Sequence, residues 1–187
     1  MAGIYIAILV VVVLLVLWMI GVYNGLIKLR NRTKEAWSDI DVQLKRRHDL
    51  IPNLINSVRG YMTHERELLE NITKARSQAM TAQESGNTGE LAKAENMLGG
   101  MLGKLQIAVE AYPDLKANQS VMQLMDELSD TENKIQASRR FYNGMVRDFN
   151  TKIEVFPNNL VAGMLHFVKY EFFEANEAEK EVVEVKL

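Results

Sequence analysis

Hydrophobic and polar positions fall into three regimes along the chain. Residues 4–22 (IYIAILVVVVLLVLWMIGV) carry no charge at all. From there to Phe156, apolar residues return every three or four positions. Residues 159–174 (NLVAGMLHFVKYEFFE) are dense in apolar and aromatic side chains again.

The first regime reads as a membrane span. A run of this length covers a hydrocarbon core of roughly 30 Å at about 1.5 Å per helical residue. Tyr5 and Tyr23 bracket it at about 27 Å by the same rise, with Trp18 near its end, where amphipathic rings settle at interfaces. A cleaved signal would need a basic start, a shorter apolar core and a small-x-small site. The start is neutral and WMIGVY offers no such site. Lys28, Arg30 and Arg32 follow the span and no base precedes it. The positive-inside rule then predicts an N-terminus outside and the remainder in the cytoplasm. Membrane lipid is the first partner implied.

The second regime has the helical period. Leu26, Leu29, Thr33, Trp37, Ile40 and Leu44 draw one stripe. Ile51, Leu54, Val58, Tyr61, Glu65, Leu68, Ile72, Ala75 and Ala79 draw a second. Leu91, Ala94, Leu98, Met101, Leu105, Ala108 and Tyr112 draw a third. In the fourth, Val121, Leu128, Ile135, Tyr142, Phe149 and Phe156 stand a heptad apart, with Met125, Val146 and Ile153 between them. Each stripe is the buried face of an amphipathic helix. Asp49 is placed to cap the second helix, with Pro52 in its first turn. Residues 84–89 (ESGNTG) form a loop by composition, with Thr88 capping the third helix. Tyr112-Pro113-Asp114 ends the third, Asn118 or Ser120 caps the fourth, and Pro157 stops it. Helices joined by short loops pack antiparallel. The fold predicted is all-α: a single N-terminal transmembrane helix followed by an elongated antiparallel four-helix bundle. Its divisions are 1–24 for the anchor, 25–157 for the bundle, 158–174 for the apolar segment and 175–187 for an acidic tail. The apolar segment either folds back on the bundle or touches a membrane or partner. The final VVEVKL alternates, as a short strand added to a neighbour would.

Composition narrows the function. Cysteine is absent, which removes disulfides, thiolate-metal sites and lipid-modified cysteine. A formal net charge of −2 provides no basic face for nucleic acid. The charge is polarised. Residues 28–47 hold seven bases, whereas the last seventeen residues hold six glutamates.

Catalytic motifs fail on inspection. His64-Glu65 begins a zincin-like pair, but the second histidine of H-E-x-x-H is missing. Gly99-Gly100-Met101-Leu102-Gly103-Lys104 lacks the spacing, the Ser/Thr and the preceding strand of a phosphate loop. Its small residues suit a close approach of two helices. No strained nucleophile turn exists. The reading is a protein that is not an enzyme and has no cofactor, metal or catalytic residue.

One charged cluster remains: Asp39, Asp41, Lys45, Arg46, Arg47 and Asp49, with His48 inside it. It is either a helix-end ion-pair network or a contact surface. Arg139 and Arg140, beside Glu132 and Asn133, stand where the fourth stripe would want apolar groups. They join the candidate contact surface, because polar groups at such positions can fix register.

Tyr23-Asn24-Gly25-Leu26 and the segments AWSDIDVQLKRRHDLIPNLINSVRGYMTHE, AYPDLKAN, TENKIQASRRFYN and FPNNLVAG together resemble the LemA family. The resemblance runs from the anchor to about Phe173. It implies a short N-terminus, one span and an elongated helical bundle at the bacterial inner membrane. By the same analogy, it implies neighbours among membrane-bound proteases and envelope-stress factors. It implies no particular activity. The expectation is a self-assembling scaffold, a homo-oligomer. The alternative is a monomeric or dimeric adaptor that docks a membrane protease through the charged helix surface.

Overall fold

A computed structural model describes residues 1–174. The acidic tail and the alternating VVEVKL stretch lie outside the described residues. Among the described residues, six helices follow in order: α1 (Ala2–Val58), α2 (Arg66–Ser85), α3 (Thr88–Val109), α4 (Pro113–Ala117), α5 (Gln119–Glu154) and α6 (Asn158–Met164). No strand occurs among the described residues. The chain divides into two compact units. One comprises Met1–Ser38 and Phe141–Tyr170, and the other comprises Asp39–Arg140 and, among the described residues, 171–174.

The main departure from the sequence reading is at Asp49. It does not cap a new helix, because α1 runs through it, and through Pro52, to Val58 as one element of 57 residues. A proline inside a helix removes the amide that would bond the carbonyl four residues earlier. Here that carbonyl belongs to His48, and the Arg76 Nε of α2 donates to it at 2.7 Å. The break comes later, where the Tyr61 and Met62 amides both turn back to the Val58 carbonyl. Met62 is buried at this turn and Tyr61 is 46% exposed, so Met62 takes the core place expected for Tyr61.

Other ends follow local chemistry. Gly86 closes α2 at φ 72°, a left-handed conformation that glycine adopts without a Cβ penalty. Asn87, rather than Thr88, caps α3 by accepting the Glu90 amide on Oδ1 at 3.1 Å. Asn118 caps α5 as expected, accepting from the Ser120 and Val121 amides at 3.1 and 3.3 Å. α3 ends at Val109, before Tyr112, which still packs against the core, and Pro113 opens the short α4.

In the second unit, one core joins Ile51, Leu54 and Val58 of α1 to Ile72, Ala75 and Ala79 of α2. Leu98, Leu105 and Val109 of α3, Leu115 of α4, and Val121, Met125 and Leu128 of α5 complete it. In the first unit, Val22 and Leu26 pack with Phe149, Ile153, Val161 and Ala162. Trp37 meets Tyr142 edge to face at 5.2 Å between centroids. The heptad positions Val121, Leu128, Ile135, Tyr142 and Phe149 are all buried, but Phe156 is 78% exposed because α5 has ended at Glu154.

The apolar segment after α5 has a defined course. α6 ends in a Schellman motif: the His166 amide bonds the Gly163 carbonyl and the Phe167 amide bonds that of Ala162. His166 occupies the left-handed position at φ 54°. Phe167 then packs back onto the first unit's core. Asn150 holds the following stretch by a reciprocal pair, Nδ2 to the Tyr170 carbonyl at 2.9 Å and Tyr170 amide to Oδ1 at 3.0 Å.

Candidate functional site

Two features carry chemical meaning. The first is the N-terminal part of α1. It is long and apolar enough to cross a membrane, and no residue of its most apolar window is buried in the protein. Tyr5, Trp18 and Tyr23 are 69%, 38% and 42% exposed. Lys28 and Arg32 are exposed beyond it. Arg30 is half-buried instead, with its guanidinium 5.7 Å from the centre of the Phe167 ring. Part of its role is therefore a cation–π contact that holds the segment after α6.

The second feature is a buried charge cluster in the other unit. Arg47 is 1% exposed. Its Nη2 pairs with the Glu95 carboxylate of α3 and its Nη1 with that of Glu132 on α5. Glu95 is fully buried, and the His48 Nε2 lies 2.8 Å from its Oε1. Burial pushes the Glu95 carboxyl up, but the His48 hydrogen bond and the Arg47 charge outweigh it and hold the group below its ordinary value. An ionised carboxylate only accepts, so the His48 Nε2 carries the proton. Gly99, one turn along α3, leaves room beside Arg47: a Cβ there would lie 3.8 Å from Nη1.

This placement corrects the reading of Arg47 as a docking residue, because a side chain 1% exposed reaches no partner. The sequence signal was available. Arg47 and His48 lie on the α1 face between Leu44 and Ile51, and Glu95 sits between Leu91 and Leu98. Ala94 offered the third stripe an apolar residue and drew attention away from Glu95. The expected closeness of small residues is likewise confined to Gly99, since a Cβ at Gly100 or Gly103 would meet nothing within 4 Å.

The remaining members of the predicted surface are scattered. Asp39, Asp41, Lys45, Arg46, Asp49 and Arg140 are exposed. Asp41 accepts from Gln83 at 2.5 Å, and Arg46 approaches Glu127 at 3.8 Å. Arg139 donates to Asn96 at 2.9 Å and stacks 4.6 Å from the centre of the buried Phe173 ring. It ties α5 to α3 and to the chain beyond Tyr170. His64 joins no metal-ligand set. Among the described residues, no three His, Asp or Glu side chains are grouped to hold an ion. The Glu65 carboxylate beside it accepts from the Tyr112 hydroxyl, which pushes the Tyr112 phenol up.

Comparison with known proteins gives the context. The family model described as the LemA family matches residues 36–187. The Protein LemA of Metamycoplasma hominis is 32% identical over 161 residues, covering 86% of this chain and 73% of that protein. Magnetosome protein MamQ 2 of Paramagnetospirillum magneticum is 24% identical over 83% of this chain and 66% of its own length. Magnetosome protein MamQ of Magnetospirillum gryphiswaldense is 22% identical over 81% and 64%. This chain thus spans about two thirds of the magnetosome relatives. Residues 36–187 take in every member of the buried charge cluster, and the chain belongs to the LemA family.

Proposed function

We propose that the protein is a non-enzymatic, membrane-anchored helical scaffold that self-assembles at the bacterial inner membrane, in envelope organisation or quality control. The observation that carries this reading is α1 itself, whose exposed apolar end continues without a break into the helix that carries Arg47 and His48. The buried acid Glu95 is engaged by Arg47 and His48 inside a core. That favours a structural part for the cluster over a catalytic one. Relatives named as magnetosome proteins fit the reading, since that name ties them to a structure and not to a reaction. In this reading the stripes form an elongated antiparallel four-helix bundle on the cytoplasmic side, the N-terminus lies outside, and lateral contacts between copies build the assembly.

A second reading is an adaptor acting as a monomer or dimer, docking a membrane protease or envelope-stress partner. The exposed charges Lys45, Arg46 and Asp49 support it. Particle mass and shape of the full-length protein in mild detergent, by electron microscopy, separate the two. A large closed assembly is expected. A monomer or small dimer would overturn the scaffold and direct the search to a partner on the charged face.

A further inference from the structure

We propose that α6 and its flanks, from Phe156 to Val168, form a second contact with the bilayer that α1 enters, an amphipathic foot lying in the headgroup layer. The proposal rests on the reading of α1 as a membrane anchor.

Position comes first. Val161 and Ala162 share one core with Val22 and Leu26. Val22 is the last residue of the apolar run 4–22, and Leu26 stands one turn further, about 6 Å along the helix axis. The polar layer on each side of a bilayer core is itself roughly 5–8 Å deep. A short helix seated on Val22 and Leu26 therefore lies at headgroup depth.

Chemistry agrees with that depth. Leu160, Gly163 and Met164 stand at i, i+3 and i+4, on the face turned away from Val161 and Ala162. Leu160 is 58% and Met164 69% exposed. Phe156 before the helix is 78% exposed, and Leu165 and Val168 after it 46% and 76%. Single exposed apolar residues are ordinary on a protein surface, but five large ones within thirteen positions are not. The charges nearby do not oppose a lipid surface. Glu154 is paired with Lys169, Arg30 lies over the Phe167 ring, and Lys28 is exposed. An apolar face with bases beside it is the composition of helices that lie in a membrane interface. The lipid that surrounds the adjacent, wholly exposed span is the nearest medium for this face. That continuity favours it over a second copy of the chain.

The absence of cysteine makes the test clean. Full-length protein carrying Leu160→Cys is labelled with an environment-sensitive fluorophore and reconstituted in phosphatidylcholine–phosphatidylglycerol vesicles. Met164→Cys serves as a second position, Val13→Cys as the span reference and Val42→Cys, 61% exposed on α1, as the aqueous one. The expected result is a blue-shifted emission at 160 and 164, with quenching by nitroxides placed near the lipid headgroup and loss of quenching by aqueous iodide. Iodide quenching equal to that at 42 would overturn the proposal. So would shielding from both quenchers, which would mean that protein, for instance a second copy, covers the face. A label at 13 that no lipid nitroxide reaches would instead sink the anchor reading and the foot with it.

Discussion

Arg76 completes the helix that Pro52 interrupts. Its Nε bonds the His48 carbonyl at 2.7 Å, the acceptor left over where proline has no amide to give. A charged donor reaching across from α2 lets α1 pass its proline without ending, and it also ties α2 to α1 at a defined height.

The two side chains should therefore be coupled. A hydrogen bond from a charged group contributes about 1.5–3 kcal/mol. Arg76→Leu should destabilise the protein by that order. In a Pro52→Ala background, where the restored backbone amide can take the carbonyl back, the same change should cost less than about half as much. Thermal unfolding of the four proteins, followed by circular dichroism in detergent, measures the difference. Equal costs in both backgrounds would show that the bond does not substitute for the missing amide.

The Arg47–Glu95 pair should respond asymmetrically. Removing one partner leaves a charge without its counterion, at a cost of about 3–5 kcal/mol. Arg47→Met alone should approach that figure. Arg47→Met combined with Glu95→Met should recover most of it, since buried ion pairs replaced by apolar groups are often neutral or better. A double variant as unstable as the single one would assign the cost to shape instead of charge.

Acid should weaken the same cluster. The folded Glu95 carboxyl is held below its ordinary value, so its contribution is fully present above the unfolded range near ~4.3 and fades as pH falls through the folded value. Stability measured from about pH 7 downward should drop more steeply for the wild type than for Glu95→Gln. Parallel profiles would mean that other carboxylates carry the acid response.

Glycine gives a test of the opposite sign. Gly100 and Gly103 lie inside α3 with open space where a Cβ would go. Alanine at each should stabilise by about 1 kcal/mol, the difference in helix propensity. Gly86 should behave in reverse, because φ 72° penalises any Cβ by roughly 1–2 kcal/mol. Melting temperatures of the three single variants decide it. Destabilisation by Gly100→Ala would point to a contact on that face that the isolated chain does not contain.

Much of this was legible in the residues. The span, the heptad from Val121 to Phe149 and the Asn118 cap follow from hydropathy, period and side-chain chemistry, all local properties. Pro52 misled because local rules assign a proline near an aspartate to a helix start, and the compensating donor lies twenty-four residues away on another helix. The charged stretch misled for a related reason. Sequence shows that Arg47 and His48 are polar, but only packing shows that Glu95 waits inside the core to receive both. Phe156 continued a heptad whose helix had already stopped. The foot was visible as an apolar segment, and the side it rests on was not.

The core that Val22 and Val161 share has a consequence for how the protein is made. The residue that ends the span finds its cover in a segment translated almost 140 residues later. At about 5–20 residues per second, a ribosome needs roughly 7–28 seconds to bridge that gap. On the anchor reading, the base of α1 is inserted first and stays bare for most of that interval, until Phe149 and Ile153 follow. A nascent chain cut short before α6 keeps only the partial cover of Phe149 and Ile153, and α6 completes the seal on the first helix.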